Sequence, residues 1–225
     1  MERKMAQPVL HTELSFSEMA CSGLSRFLRL LPFCLMMLFL GACATGPLML
    51  HETARSVGKG KNELSLGYGI AGYAFKWSHG VSEDFDLGVQ LESMSWGVRG
   101  KYSLVNARTH GWSIAIGGGA GGSSYSKHIY GDFIVSHLAD KWEPYGSLRV
   151  VHVTWDPLEF HRKNGELLFV TPSDRFRYGQ AILGTRYWTN QKTYLMFEAS
   201  TLLGFESGVR WDSGMFLSAG VGGRF

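Results

Sequence analysis

Four polar residues whose side chains could support nucleophilic chemistry alternate along one predicted strand: Ser126, His128, Tyr130 and Asp132. A serine hydroxyl beside a histidine is a pair that enzymes use to attack acyl groups. Residues two apart on a strand share a face, with Cα atoms ~6.5–7 Å apart. A direct bond between Ser126 and His128 therefore needs favourable rotamers. We interpret the row as a polar face of a sheet and keep acyl hydrolysis as an alternative.

One other pattern resembles a binding motif. Residues 117–122 satisfy G-x-G-x-x-G, but that motif binds a dinucleotide only between a strand and a helix, and strand alternation follows it here from Ser123 to Val135. The eight histidines show no paired metal-ligand spacing. We therefore predict no catalytic residue, no bound cofactor and no metal site.

The third chemical candidate is Cys43, which ends the tetrapeptide Leu40-Gly41-Ala42-Cys43. Before it come Arg26, Arg29 and an apolar run from Leu30 to Leu40, which is too short to span a membrane as a helix and suits a signal-peptide core. The tetrapeptide resembles the bacterial lipobox. The resemblance implies cleavage before Cys43 and covalent attachment of diacylglycerol and an acyl chain, such as palmitate, to Cys43.

The domain boundaries follow from this motif. Residues 1–42 are predicted to be a signal peptide, of which 1–18 are dispensable or untranslated because Met19 gives a normal start. Residues 43–61 show no period and are predicted to be a lipidated N-terminus and tether. Cleavage also removes Cys21 and Cys34, so the mature chain can form no internal disulfide. Ala44 follows the cysteine, and the absence of Asp there favours the outer membrane among lipoproteins.

Residues 62–225 alternate between apolar and polar side chains in about ten segments, mostly longer than the ~5–6 residues of a globular strand. The breaks at 81–84, 106–110, 139–141 and 189–192 are short and share one side of the predicted sheet, whereas the opposite side carries the long break 156–174. This pattern resembles that of bacterial outer-membrane barrels. It predicts an all-β, antiparallel, up-and-down transmembrane barrel of about ten strands, with eight as the alternative.

Aromatic residues support the same prediction. Phe225 ends a strand with small or apolar residues at every second position, which resembles the C-terminal signal read by the barrel assembly machinery. No tryptophan sits in the middle of a predicted strand, and the indole ring prefers membrane interfaces. The predicted aromatic girdle consists of Trp77, Trp96, Trp112, Trp142, Trp155, Trp188 and Trp211.

Charged residues on the alternating strands should face the lumen, because a charge facing lipid costs ~2–4 kcal/mol at mid-depth. Glu92 and Arg99 flank a short turn and are expected to pair. Ten strands enclose little free space, so a cross-linked, plugged interior is favoured over an open pore. The predicted lumen network is Gln90, Glu92, Arg99, Lys101, Asp132, Arg149, Gln180, Arg186 and Glu198.

Composition narrows the function classes. A chain with 45% hydrophobic and 18% charged residues is not disordered, and a net charge of +3 does not argue for nucleic acid. We predict an outer-membrane lipoprotein, anchored at Cys43, with a structural or surface-interaction role. Its expected partners are outer-membrane lipid and the barrel assembly and lipoprotein sorting machinery.

Three alternative functions remain open. The first is a narrow solute channel. The second is an enzyme that modifies outer-leaflet lipid; an outer-membrane lipid A deacylase has a His and a Ser two apart on a strand, in the opposite order to that seen here. The third is a soluble periplasmic lipid-binding barrel whose apolar faces point inward.

Overall fold

The computed structural model describes residues 46–93, 95–157, 159–161, 167–170, 173–204 and 215–225. The predictions for the signal peptide, for lipid attachment at Cys43 and for Trp211 lie outside these residues. Within the described ranges, no helix is long and apolar enough to cross a membrane.

Twelve strands are present in the described part of the chain, and all pairings between them are antiparallel. They are β1 (Asn62–Gly69), β2 (Gly72–Gly80), β3 (Phe85–Glu92), β4 (Ser95–Val105), β5 (Gly111–Gly122), β6 (Ser126–Leu138), β7 (Trp142–Trp155), β8 (Glu159–His161), β9 (Leu167–Val170), β10 (Asp174–Trp188), β11 (Thr193–Gly204) and β12 (Met215–Arg224).

Ten of these strands form a closed barrel in the order β1-β12-β11-β10-β7-β6-β5-β4-β3-β2. Closure comes from the pairing of β1 with β12, in which Leu66 lies opposite Val221. The predicted ten-stranded, up-and-down antiparallel barrel is thus confirmed. Strands β8 and β9 form a separate hairpin within the connection from β7 to β10.

The two ends of the barrel differ in their connections. We call one the short-turn end, because the connections 81–84, 106–110, 139–141 and 189–192 lie there. Asn62 and Phe225 meet at this end through two backbone hydrogen bonds of 2.8 and 2.9 Å. We call the other the loop end, because it carries the connection that contains β8 and β9.

The outer face of the wall is apolar. Leu183 and Leu148 are 71% and 60% exposed, although they lie near the middle of long strands. Polar residues such as Arg149 and Gln180 point inward and are buried. The alternation therefore has its apolar side outside, which is the reverse of a barrel that binds lipid in its interior.

The segment before β1 differs from the expectation of a free tether. Residues 46–57 are buried except for Leu48, which is half-buried. They bond to strands on opposite sides of the ring, for example Lys101 of β4 and Glu198 of β11. A segment with such partners can only lie inside the barrel, and we call residues 46–57 the plug.

Candidate functional site in the barrel lumen

The nine residues predicted to line the lumen all lie on inward-facing positions. Eight are buried, and Glu92, at the end of β3, is half-buried. Most of them bond to the plug rather than only to each other. The lumen is therefore best described along the plug, from the loop end to the short-turn end.

At the loop end, wall side chains bind the peptide groups of residues 47–49. The carboxylate of Glu92 accepts hydrogen bonds from the backbone N–H of Leu48 (2.8 Å) and of Met49 (3.2 Å). Gln180 donates to the carbonyl of Leu48 at 2.6 Å, and Arg149 donates to the carbonyl of Pro47 at 2.8 Å. Backbone groups of an extended segment that pairs with no strand need other hydrogen-bond partners, and these wall side chains supply them.

In the middle of the lumen the same pattern repeats around Leu50 and His51. Glu198 accepts from the N–H of Leu50 at 2.9 Å and of His51 at 2.8 Å. Lys76 donates to the carbonyl of Leu50, and Arg186 donates to that of His51 at 2.9 Å. Carboxylates thus meet plug N–H groups and cations meet plug carbonyls.

Glu52 is the charged centre of the plug. Its carboxylate pairs with Arg99, with Lys101 at 2.9 Å and with Lys76 at 3.6 Å, and all four side chains are at most 5% exposed. Arg99 also lies 3.7 Å from Asp132, which in turn binds Arg149 at 2.6 Å. Three wall cations therefore share one plug carboxylate.

At the short-turn end the plug is held by Asp86, Glu143 and Ser103. The hydroxyl of Ser56 donates to Asp86 at 2.7 Å, and the N–H of Val57 lies 3.1 Å from the same carboxylate. Arg55 pairs with Glu143 at 3.1 Å. The plug is thus bonded along its whole length.

The expected pair of Glu92 and Arg99 is wrong. Glu92 accepts from plug N–H groups and from Gln90, whereas Arg99 pairs with Glu52 and Asp132. The competing partner is the plug, which offers Glu92 two donors that the sequence pattern did not place in the lumen.

Sequence reasoning also missed several lumen residues. Asp86 lies four residues before Gln90 on the same strand and so shares its face. The alternation of the strand alone therefore predicts that Asp86 faces the lumen. The plug residues carry no such signal. The missed residues with ion pairs in the lumen are Glu52, Arg55, Glu63, Lys76, Asp86, Glu143 and Arg224.

The predicted aromatic girdle is correct only in part. Four of its tryptophans are exposed on the outer wall near strand ends: Trp77, Trp96, Trp112 and Trp142. Trp188 instead points into the lumen, where it is 8% exposed and its indole N–H donates to Glu143 at 2.9 Å. Trp155 is half-buried on the inward side and contacts Phe176 edge-on.

Inward glycines make room for large lumen side chains. Tyr145, Tyr194 and Tyr130 each lie directly across from a glycine on the neighbouring strand, namely Gly184, Gly222 and Gly119. A Cβ at any of these glycines would collide with the tyrosine ring. Gly119 belongs to the G-x-G-x-x-G stretch, and this whole stretch lies within strand β5. Gly119 leaves room for the ring of Tyr130.

The row Ser126, His128, Tyr130 and Asp132 faces the lumen and is buried. The Ser126 hydroxyl bonds to that of Ser123 at 3.0 Å, and Asp132 is bound by Arg149. In the described part of the chain, no group of three or more His, Cys, Asp or Glu side chains is placed to hold a metal ion. Of this row, Asp132 is linked to the plug, because Arg149, which it binds, also donates to the carbonyl of Pro47.

Comparison with known proteins gives structural matches alone. No protein-family model and no curated protein matches the chain. The N-terminal barrel domain of OprF from Pseudomonas aeruginosa is 12% identical, with 75% of this chain and 99% of that one covered and a TM-score of 0.37. Ail of Yersinia pestis is 9% identical, with 74% and 99% covered and a TM-score of 0.32. The KdgM porin is 12% identical, with 73% and 99% covered and a TM-score of 0.37.

Proposed function

We propose that this chain is an outer-membrane β-barrel lipoprotein whose lumen is closed by its own plug, and that its role is structural or surface interaction. The observation that carries the proposal is the bonding of the plug: carboxylates of the wall bind its N–H groups, and cations of the wall bind its carbonyls. A lumen filled in this way leaves the outer wall and the loops as the surfaces free to act.

The outer wall supports the membrane part of the proposal. Large apolar side chains cover it on every barrel strand, and exposed tryptophans lie near the strand ends. Water would penalise so much exposed apolar surface, whereas lipid does not. Closure satisfies the backbone groups of every wall strand, as a bilayer requires.

The short turns support an orientation. In bacterial outer-membrane barrels the short turns face the periplasm and the longer loops face outward. We therefore place the short-turn end in the periplasm and the loop end outside. The connection 156–174, which contains the β8–β9 hairpin, is then the best candidate for contact with an external partner.

The closed lumen argues against the other functions. A solute channel needs a continuous path, but the plug bonds to Glu92 near the loop end and to Asp86 near the short-turn end. A soluble lipid-binding barrel needs an empty apolar interior, whereas the plug and its buried ion pairs occupy this lumen. Ser126 and His128 face the lumen and not the outer wall, so lipid in the membrane would not reach them.

Acylation of Cys43 is the remaining part of the proposal, and it rests on the lipobox. The wild-type chain should incorporate a palmitate analogue supplied to growing cells, and Cys43→Ser should abolish the label. A wild-type chain that takes up no label would remove the lipid from the proposal and leave the barrel in place.

The membrane barrel is tested by fractionation and gel mobility. We expect the protein to sediment with the outer membrane, to resist carbonate extraction and to shift in mobility when an SDS sample is boiled, because a closed barrel resists SDS until heated. Extraction by carbonate together with an unchanged mobility would contradict the proposal.

A further inference from the structure

The plug runs through the barrel in one direction, and its N-terminal end lies near the loop end. A Cβ built on Gly46 would lie 2.6 Å from Cγ1 of Val151 and 3.7 Å from Cβ of His128. His128 is the third residue of β6, which begins at the loop end with Ser126. The N-terminal end of the plug is therefore two strand positions below that rim.

The C-terminal end of the plug lies at the short-turn end. Ser56 bonds to Asp86, the second residue of β3 after the short turn 81–84. The chain then turns, with Gly60 N–H bonded to the carbonyl of Gly80 at 2.8 Å, and enters β1 at Asn62. The segment thus passes along the lumen before the first wall strand begins.

The number of residues between Cys43 and the plug decides which end of the barrel Cys43 can reach. Cys43 precedes Gly46 by three residues, which span at most ~11 Å when fully extended. The strand path from His128 to the short-turn end of β6 at Leu138 is ten residues, or ~33 Å. A tilt of ~45° reduces that depth to ~23 Å. The loop-end rim is within reach of Cys43 and the short-turn rim is not.

We propose that the barrel is threaded by its own N-terminal segment, and that the mature N-terminus leaves at the loop end, beside the long loops. This inference rests on the proposed outer-membrane orientation. With the loop end outside, the lipid on Cys43 inserts into the outer leaflet of the outer membrane at the cell surface. A mature N-terminus that left at the short-turn end would instead put the lipid on the periplasmic side.

Disulfide trapping tests the direction of the plug without reference to the membrane. Gly46→Cys with Val151→Cys should cross-link in the folded barrel, because the new Cβ at position 46 lies beside the Cγ1 of Val151 that the new sulfur replaces. Ser56→Cys with Val151→Cys is the matched control and should not cross-link, since the two sites lie at opposite ends of the lumen. Val151→Cys alone controls for reaction with Cys43.

The cross-link is read as a mobility difference between oxidised and reduced samples, after the heat shift has shown that each variant is folded. Efficient linkage of the first pair with none in the controls supports the threaded plug. No linkage of the first pair in a heat-shifting barrel, or linkage of the control pair, would overturn it.

An epitope inserted between Ala44 and Thr45 tests the side of the membrane. Antibody should bind it on intact cells, as it should bind the same epitope inserted between Ser123 and Ser124 at the loop end. The epitope between Asn190 and Gln191, in a short turn, should be detected only after permeabilisation.

The three insertions separate the two proposals. A hidden epitope at 44–45 with an accessible one at 123–124 would overturn threading and leave the proposed orientation intact. A hidden epitope at 123–124 with an accessible one at 190–191 would overturn the orientation itself. Binding on intact cells to both the 44–45 and 123–124 epitopes supports the surface lipid.

Discussion

At the scale of single residues, the lumen is organised by charge pairing. Asp132 binds Arg149, Glu143 binds Arg55, and Glu52 binds Arg99 and two lysines. Removing one member of a buried pair leaves a charge with no compensating partner, which costs more than the pair contributes. Loss of one charge from this network is therefore expected to destabilise the folded barrel.

Glu52→Gln tests this pairing. The change removes the carboxylate that three buried cations share, so we expect the free energy of unfolding to fall by about 3–5 kcal/mol. The free energy of unfolding is measured by urea titration of the protein in lipid vesicles, and the loss of the folded band on a gel reports unfolding. Glu83→Gln is the matched control, because its pair with Arg108 is more than half exposed and should be worth about 0–1 kcal/mol. Equal effects of the two changes would contradict the account.

The tyrosine–glycine contacts allow a second test. Gly184→Ala places a methyl group against the ring of Tyr145, which should destabilise the barrel by about 1–3 kcal/mol through overpacking. The control is Gly131→Ala, where the nearest atom to the new Cβ is 3.9 Å away. Its unfolding midpoint should stay close to that of the wild type. A Gly184→Ala barrel as stable as Gly131→Ala would show that Tyr145 has room to move.

Alternation along a strand predicts which single side chains face the lumen. This alternation correctly predicts that Arg186 points into the barrel, and Trp188, two positions later, shares its face. The girdle prediction includes Trp188 because of its residue type and its position at a strand end, whereas the face that it shares with Arg186 correctly indicates the lumen. The ion-pair partners could not be predicted, because Glu92 and Arg99 bond to a segment that the alternation does not describe.

At the scale of elements, alternation is what made the wall predictable. Each wall strand has one apolar and one polar face, so apolar and polar residues alternate along the sequence. This alternation predicts a strand whichever of the two faces is buried. The sequence could not decide which face was inside. The structure settles it, since Leu148 points outward and its neighbours Ser147 and Arg149 point inward and are buried.

Charge substitutions on the outer face test the membrane assignment. Leu148→Arg lies mid-strand on β7 and should cost about 2–4 kcal/mol in a bilayer. Val105→Arg lies at the short-turn end of β4, near an interface, and should cost only about 0–1 kcal/mol. Unfolding in lipid vesicles gives the comparison. Equal and small costs at both positions would mean that the outer wall does not face hydrocarbon.

The plug is the element that sequence reasoning missed. Residues 46–57 are held mainly through backbone N–H and carbonyl groups, which every residue type possesses. Such contacts leave no periodic pattern of side chains. Within the described residues, Glu52 and Arg55 are the plug residues that form ion pairs. A free tether could carry two charged residues in twelve just as well.

At the scale of the whole molecule, the wall and the plug depend on each other. The wall supplies a closed ring of backbone hydrogen bonds, and the plug occupies the polar lumen that this ring encloses. The plug bonds to strands on opposite sides of this ring, so the barrel closed by the β1–β12 pairing encloses it. In the proposed orientation, such a barrel would present its outer wall to lipid and its loop end to the exterior, with the plug between its two ends.

Ion conductance in planar bilayers tests this closure most directly. We compare the full-length barrel with a variant that lacks residues 46–57, and use only preparations that show the heat shift. If the plug closes the lumen, the full-length protein will show no channel steps and the deletion variant will show clear steps. Steps of the same size in both proteins would contradict the claim that the plug closes the lumen.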